Sequence, residues 1–351
     1  MSDIDQKYMF RCLELARLGA GYVAPNPMVG SVLVYQDRII GEGYHRHYGE
    51  AHAEVNCLRS VSEEDQVLIP ASTLYVSLEP CAHYGKTPPC TDLIIREKIK
   101  KVVIGCRDPF PEVDGRGIEK LKAAGIAVTA GVLEKESEEI NRRFFCWVTQ
   151  KRPYIILKWA QSANGKIAGN TEKRVRISND FTNRLVHRWR SEEAAILVGS
   201  RTARMDNPAL TNRLWTGNQP VRMVLDKTLQ LSSDLQLFDQ QLTTLIFNEQ
   251  KEGKDGKIEF CLLTKEKSLL QQVLLACYER GLQSILVEGG AQLLQLFINE
   301  GIWDEARVIT NETFFLADGL SAPVLSAFRH SHTENLGTDK IQYLFPVGLT
   351  H

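Results

Sequence analysis

The chain has 351 residues, a length that suggests two domains, each able to bury its own hydrophobic core. Its 42 Lys and Arg residues nearly balance its 43 Asp and Glu residues, and no block of basic residues marks a nucleic-acid-binding surface. The opening MSDIDQKY lacks the pattern of a signal peptide, and no run of about 18 apolar residues predicts a membrane span. We therefore expect a cytoplasmic protein that binds neither nucleic acid nor membrane.

The first part of the chain alternates predicted helices and strands, as an α/β domain does. A first helix follows Asp3 or Asp5, and a hairpin turns at Gln36-Asp37. Pro88-Pro89 favours the start of a helix that has Cys90 in its first turn. The other predicted elements are helices at 52–60, 117–124 and 134–141, and strands at 29–35, 38–44, 73–78, 101–105 and 126–129.

The alternation restarts after Arg152-Pro153, so residues 1–150 and 151–351 are expected to form separate domains. In the second part, Gly289-Gly290 lies between a predicted strand and a predicted helix, and Asp206 lies in a predicted loop. Strands are predicted at 154–159, 195–199, 221–225, 243–247, 258–263, 284–288 and 306–310, and helices at 179–191, 267–280 and 291–299. The segment after residue 310 shows no clear pattern.

Three residues of the first part have the donor chemistry of a zinc site. His52, Cys81 and Cys90 offer one imidazole and two thiolates, and three protein ligands leave a fourth position for water. Glu54 follows His52 by two residues, where a carboxylate is placed to move protons. The arrangement is that of zinc deaminases, H-x-E followed by P-C-x-x-C, except that eight residues separate Cys81 from Cys90. We expect one catalytic Zn²⁺ per chain.

Two other interpretations of these residues remain open. His83 is close enough in sequence to be a fourth ligand, which would make the zinc site structural, because structural sites have four closed ligands. The His and Cys residues could also be unrelated core residues. Glu54 favours catalysis over both. The remaining cysteines have apolar neighbours and are expected to be reduced core thiols: Cys12, Cys57, Cys106, Cys146, Cys261 and Cys277.

Two ordered sets of motifs extend over nearly the whole chain. The first set comprises PNPMVG at 25–30, His45, HAE at 52–54 and PCAHYGKTPPC at 80–90. The second comprises KWAQS at 158–162, GKIA at 165–168, VGS at 198–200, DNP at 206–208 and VEGGA at 287–291. The first set resembles the cytidine-deaminase-like superfamily and, within it, the riboflavin-biosynthesis deaminase. The second resembles the reductase that is joined to this deaminase in bacteria.

The resemblance implies a cytidine-deaminase-like α/β/α domain followed by a dihydrofolate-reductase-like α/β domain. It also implies a bifunctional enzyme. The first step would be zinc-dependent hydrolytic deamination of 2,5-diamino-6-(5-phosphoribosylamino)pyrimidin-4(3H)-one to 5-amino-6-(5-phosphoribosylamino)uracil. The second would be NADPH-dependent reduction of the ribosyl group to ribityl. The partner is then a small phosphorylated pyrimidine, and a homo-oligomer, a dimer or tetramer, is expected.

The resemblance also assigns contacts to residues of this chain. Deaminase substrate contacts fall at Asn26, His45, Lys86 and Asp108. Cofactor contacts fall at Ala160, Arg176, Thr202, Asp206, Gly290, Ala291, Gln292, Leu293, Leu294, Gln295 and Leu296. Reductase substrate contacts fall at Arg190, Leu210, Arg213 and Glu288. The chain departs from the family at Phe110, where Asn is common, at Asn164, where Asp is usual, and at Arg176, where Trp is often found.

Residue chemistry supports part of this assignment. No G-x-G-x-x-G occurs, so a Rossmann fingerprint is excluded, but Gly289-Gly290 before a helix suits a pyrophosphate. Arg190 and Arg213 suit a phosphate because guanidinium groups bind it through two hydrogen bonds. Two alternative functions are a tRNA- or nucleoside-type zinc deaminase with an accessory domain, and a non-enzymatic zinc-binding interaction protein. The long Cys81–Cys90 insert and the balanced charge oppose the first, and Glu54 opposes the second.

Overall fold

The computed structural model describes residues 3–84, 88–170 and 175–347. The chain divides into two compact units, Met1–Lys151 and Arg152–His351. Within the described ranges, no helix combines the length and apolar character that crossing a membrane requires.

The first unit is built on a five-stranded sheet. Its strands are β1 (Gly30–Tyr35), β2 (Arg38–Tyr44), β3 (Thr73–Leu78), β4 (Lys101–Cys106) and β5 (Ala127–Ala130), in the order β2-β1-β3-β4-β5. Strand β1 is antiparallel to β2 and β3, and β3, β4 and β5 are parallel. The helices are α1 (Asp3–Arg17), α2 (Ala53–Arg59), α3 (Cys90–Arg96), α4 (Arg116–Ala123), α5 (Glu134–Ile140) and α6 (Arg142–Gln150), with a 3₁₀ helix at Glu63–Ala71.

Helices cover both faces of this sheet because consecutive strand residues point to opposite sides. Leu74 of β3 packs in a core with Cys57 of α2 and Ile94 of α3. The next residue, Tyr75, packs in a second core with Met9 of α1. The predicted α/β/α architecture is confirmed. The 3₁₀ helix was not predicted, since it contains Pro70 and lacks the 3.6-residue periodicity of an α-helix.

The second unit contains a ten-stranded sheet and a small two-stranded one. Its strands are β6 (Tyr154–Ser162), β7 (Lys166–Ala168), β8 (Ala195–Gly199), β9 (Val221–Leu225), β10 (Thr244–Asn248), β11 (Gly253–Asp255), β12 (Ile258–Leu262), β13 (Ser284–Gly289), β14 (Glu305–Asn311), β15 (Leu320–Ser321), β16 (Phe328–Leu336) and β17 (Asp339–Pro346). The large sheet has the order β11-β12-β10-β9-β8-β13-β6-β14-β17-β16, and β7 pairs with β15. Strands from β12 to β14 in this order are parallel, and β11, β17 and β16 pair in antiparallel fashion.

The helices of this unit are α7 (Asp180–Glu192), α8 (Ser200–Asp206), α9 (Leu269–Glu279) and α10 (Ala291–Asn299), with a 3₁₀ helix at Gln236–Phe238. The α/β prediction for this half is confirmed. Asp206 is the last residue of α8, whereas the sequence predicted a loop there. Helix α8 has seven residues, of which only Ala203 is buried. Its sequence therefore lacks the apolar periodicity from which a helix is predicted. The unassigned tail forms the hairpin of β16 and β17.

A buried ion pair fixes the beginning of the second unit. Both terminal nitrogens of Arg152 donate to the carboxylate of Asp304, at 2.6 and 2.7 Å. Asp304 also accepts the backbone N–H of Ile155 at 2.7 Å. The residue just before β14 therefore holds the residues that open β6, its parallel neighbour in the sheet.

Candidate metal centre and cofactor cleft

The three expected zinc ligands converge beyond the carboxyl end of β3. Cys81 follows that strand by three residues, His52 is the N-cap of α2, and Cys90 is the first residue of α3. Nδ1 of His52 lies 3.6 Å from Sγ of Cys81 and 3.3 Å from Sγ of Cys90. All three donor atoms lie within 4.8 Å of one another. One imidazole nitrogen and two sulfurs at this spacing fit a Zn²⁺ ion with an open position for water.

Glu54 lies beside these donors, in the first turn of α2, and is 3 % exposed. Burial raises the pKa of its carboxyl group above the usual value. The hydrogen bond with Cys90 lowers the pKa of the Cys81 thiol to about 4, and the same contact raises that of Cys90. The site thus combines a thiol that ionises readily with a carboxyl group whose burial favours its protonated form.

A second buried carboxylate, Glu79, holds the turn that carries Cys81. Its Oε2 accepts the backbone N–H groups of Gly115 at 3.0 Å and Asp108 at 3.3 Å, and its Oε1 accepts that of Ile118 at 3.1 Å. These donors lie at the N-terminus of α4 and in the preceding loop, where a negative charge is favourable. Glu79 was not predicted as a site residue, although an acidic residue between a buried strand and Pro80-Cys81 was a usable signal.

A glycine of α4 brings that helix against the same turn. A Cβ on Gly117 would lie 2.1 Å from the backbone oxygen of Pro80, so only glycine fits there. Glu79 and Gly117 together fix α4 against the Pro80-Cys81 segment.

Two of the expected deaminase substrate residues contact each other near the metal donors. The side-chain amide of Asn26 donates to Nε2 of His45 at 3.1 Å, and Nδ1 of His45 donates to the backbone oxygen of Ala51 at 3.1 Å. Burial lowers the pKa of His45, so its ring is neutral. The rings of His45 and His52 are 5.5 Å apart, edge to face. Lys86, the third expected residue, lies outside the described residues.

Asp108, the fourth, is buried close to the Cys81 turn. Its Oδ1 accepts the backbone N–H of Phe110 at 2.8 Å, and burial raises its pKa to about 7. The ring of Phe110, the residue that departs from the family pattern, lies 6.0 Å from the ring of His83. His83 is outside the cluster of metal donors among the described residues, and its Nε2 lies 3.8 Å from Glu112.

The second unit contains a cleft of about 1540 Å³ along the carboxyl ends of β6, β8, β9 and β13. Ligands bind at this edge of open α/β sheets. Every expected reductase contact lines the cleft except Gln295. The side chain of Gln295 instead exchanges hydrogen bonds with the backbone of Val324. The expected contacts 290–296 include six consecutive helical residues, which cannot all point to the same side of the helix. The side chain of Gln295 points away from the cleft.

Two glycines form the turn between β13 and α10, which lines the cleft. Gly290 has a φ of 83°, which favours glycine, and a Cβ on Gly289 would lie 2.7 Å from the side chain of Thr202. Helix α10 then begins at Ala291, its first residues line the cleft, and the first N–H groups of a helix have no partner within it. These features fit the pyrophosphate of a dinucleotide.

A buried charge cluster forms one wall of the cleft. Glu288 accepts hydrogen bonds from Nε and Nη2 of Arg190 at 2.6 and 2.7 Å, and Nζ of Lys158 lies 3.5 Å away. Burial by itself would raise the pKa of Glu288, but Arg190 and Lys158 lower it to about 2. Nη1 of Arg190 donates to the backbone oxygen of Thr211 at 3.1 Å. Arg190 therefore orients Glu288 and a loop of the cleft, and Lys158 is a lining residue that the sequence analysis did not single out.

The other expected charged residues are more exposed. Arg213 lines the cleft with an exposed side chain whose Nη1 donates to the hydroxyl group of Thr211 at 2.6 Å. Arg176, which replaces the common Trp, forms an ion pair with Asp180 at the start of α7. Asn164, which replaces the usual Asp, hydrogen-bonds Ser162 at 2.7 Å and Leu316 at 2.8 Å.

Comparisons with known proteins match both units of the chain. The model of the cytidine and deoxycytidylate deaminase zinc-binding region matches residues 2–106, and that of the RibD C-terminal domain matches residues 153–315. The riboflavin biosynthesis protein RibD of Aquifex aeolicus is 38 % identical over 97 % of this chain and 98 % of its own length.

Solved structures agree over the same length. The chain superimposes with a TM-score of 0.90 on a diaminohydroxyphosphoribosylaminopyrimidine deaminase/5-amino-6-(5-phosphoribosylamino)uracil reductase from Thermotoga maritima, at 37 % identity, covering 98 % of this chain and 99 % of that one. RibD of Acinetobacter baumannii gives a TM-score of 0.87 at 31 % identity, with the same coverage. The chain therefore belongs to the RibD family of bifunctional riboflavin biosynthesis proteins, which join a zinc-dependent deaminase region to an NADPH-dependent reductase domain.

Proposed function

We propose that this chain catalyses two consecutive reactions. Residues 1–150 deaminate 2,5-diamino-6-(5-phosphoribosylamino)pyrimidin-4(3H)-one to 5-amino-6-(5-phosphoribosylamino)uracil. Residues 151–351 then reduce the ribosyl group of that product to ribityl. The observation that carries the proposal is the convergence of His52, Cys81 and Cys90 beside the buried carboxyl group of Glu54.

In the deaminase reaction, the residues of the first unit bind the pyrimidine and move protons. His52, Cys81 and Cys90 would hold the zinc, which would supply an activated water, because a bound zinc ion lowers the pKa of water toward neutrality. Glu54 accepts the proton that this water loses as it adds to the amino-bearing ring carbon. It passes this proton to the ring nitrogen. It then takes the second proton, from the added hydroxyl group, and delivers it to the amino group, which leaves as ammonia as the ring carbonyl forms. Asn26, His45, Lys86 and Asp108 bind the substrate.

In the reductase reaction, the residues of the cleft mainly position two reactants, since NADPH supplies the hydride. Gly289-Gly290 and the start of α10 bind the pyrophosphate of the cofactor. Ala160, Arg176, Thr202 and Asp206 complete the cofactor site, together with the cleft-facing residues of α10. Arg213, at the exposed side of the cleft, binds the substrate phosphate, and Glu288, held by Arg190, faces the sugar.

The setting of the enzyme is part of the proposal. The balanced charge of the chain supports an enzyme that acts on a small molecule and binds no nucleic acid, and we expect it in the cytoplasm. A homo-oligomer, either a dimer or a tetramer, is expected from the resemblance to the family.

The decisive experiment separates the two activities in one protein. Glu54→Gln keeps the size and polarity of the side chain but cannot cycle a proton. We expect ammonia release to fall by roughly 10²-fold or more, the scale of general acid–base catalysis, with zinc content unchanged. The same variant should oxidise NADPH normally when 5-amino-6-(5-phosphoribosylamino)uracil is supplied. Normal ammonia release from the variant would refute the role of Glu54.

A reciprocal pair of variants tests the reductase half. Asp206→Ala and Arg213→Ala should slow NADPH oxidation and leave ammonia release intact. Folded variants that oxidise NADPH at the rate of the unmodified enzyme would show that the reductase site is wrongly placed.

A further inference from the structure

The segment 210–213 belongs to no helix or strand, and its two ends, Leu210 and Arg213, line the reductase cleft. Side chains satisfy several of its backbone polar groups. Arg190 donates to the backbone oxygen of Thr211, and the side-chain amide of Gln219 bonds both backbone groups of Asn212, at 2.8 and 2.7 Å. Leu210 has a φ of 48°, an uncommon conformation for a leucine, so the surrounding contacts must hold this segment in place.

A histidine holds the backbone N–H of Arg213, the last residue of the segment. The N–H of Arg213 donates to Nδ1 of His187 at 2.9 Å. His187 is 2 % exposed and lies in α7, three residues before Arg190 and on the same face of the helix. One helix face thus holds the segment at two points, Thr211 and Arg213.

The chemical state of His187 suits this role. Burial, with the positive charges of Arg190 and Arg213, lowers its pKa to about 4, so the ring is neutral at physiological pH. In the neutral ring, Nδ1 can accept the Arg213 N–H only if the proton is on Nε2. A protonated ring would lose this contact.

We propose that His187 is a positioning residue of the reductase: it fixes the backbone of Arg213, so that the Arg213 guanidinium group meets the phosphate of the reductase substrate. The proposal rests on the proposed function for the role of Arg213, but not for the contact itself. Phosphate binding through two parallel hydrogen bonds depends on direction, so a displaced Arg213 backbone weakens substrate binding.

Three substitutions in the full-length, zinc-loaded chain separate the two ring nitrogens. His187→Asn places an amide oxygen near the position of Nδ1 and can still accept the Arg213 N–H. His187→Gln reaches toward the position of Nε2 instead, and His187→Leu keeps bulk without an acceptor. His330→Leu, at an exposed histidine of β16, is the matched control.

We expect His187→Leu and His187→Gln to raise the KM for 5-amino-6-(5-phosphoribosylamino)uracil about tenfold, the effect of one lost hydrogen bond to a buried group. Their kcat, their Kd for NADPH by fluorescence titration and their ammonia release should stay within about twofold of the unmodified enzyme. His187→Asn should recover most of the KM. An unchanged KM in His187→Leu, or rescue by Gln in place of Asn, overturns the proposal.

A readout that needs no activity tests the contact itself. Amide hydrogen exchange across residues 210–216 should be faster in His187→Leu and return toward normal in His187→Asn, with exchange in β16 unchanged. Unchanged exchange in His187→Leu also overturns the proposal. If the unmodified enzyme oxidises no NADPH with this substrate, the proposed function fails, and the exchange result still decides whether His187 positions Arg213.

Discussion

Removing Arg190 tests the charge cluster of the reductase cleft. Arg190→Met keeps an unbranched chain of similar length but leaves the carboxylate of Glu288, 5 % exposed, with only Lys158 at 3.5 Å. The cluster lowers the pKa of Glu288 from 4.5 to about 2. At about 1.4 kcal/mol per pKa unit, that lowering corresponds to about 3 kcal/mol. Losing one partner of a buried pair costs roughly 3 to 5 kcal/mol, so we expect a loss of about 3 kcal/mol in unfolding free energy.

Tryptophan fluorescence during urea unfolding measures this loss of unfolding free energy in the second unit. Four of the five tryptophans, Trp159, Trp189, Trp215 and Trp303, belong to the second unit, so the signal mainly reports its unfolding. A double-mutant cycle with Glu288→Gln isolates the pair: the coupling energy should be about 2 kcal/mol. A coupling energy below about 0.5 kcal/mol would refute the reasoning, because exposed pairs already reach that value.

The pH dependence has a definite sign. The folded-state pKa of Glu288 is lower than its unfolded value, so the ionised carboxylate stabilises the fold above about pH 4.5. That stabilisation is lost as the pH falls from 4.5 toward 2. The difference in unfolding free energy between the unmodified chain and Glu288→Gln should therefore be largest near neutral pH and shrink through this window. A constant difference would contradict the assignment.

Three further predictions concern the first unit. Cys81→Ser should lose most of the zinc measured by metal analysis, while Cys146→Ser, a buried thiol outside the donor cluster, should keep about one zinc per chain. Glu79→Gln removes the charged acceptor of three backbone N–H groups and should destabilise the first unit by roughly 2 to 4 kcal/mol. Amide exchange over residues 108–118 should become faster, and unchanged exchange would show that Glu79 does not hold this segment. A fragment of residues 1–150 should fold and bind zinc by itself, because it has its own cores, and failure to bind zinc despite native-like circular dichroism would contradict independent folding.

The zinc ligands could be predicted from the sequence because their chemistry is local. His52 and Glu54 lie two residues apart. Cys81 follows a strand and Cys90 begins a helix, and the residues around each cysteine already predict that strand and that helix. Most helices and strands were predictable for the same reason, since apolar periodicity is read within one element. Glycines before a helix likewise marked the turn at Gly289-Gly290.

Only the tertiary structure decided which side chains hold these local features in place. Arg190 and Glu288 are 98 residues apart in the chain, and Glu79 meets Ile118 from 39 residues away. His187 contacts the backbone of Arg213 from 26 residues away, in a segment that belongs to no helix or strand. Such contacts depend on how strands align in a sheet and how a helix packs on it. That alignment cannot be predicted from neighbouring residues in the sequence, because the burial of a side chain and its hydrogen-bond partners depend on elements far away in the chain.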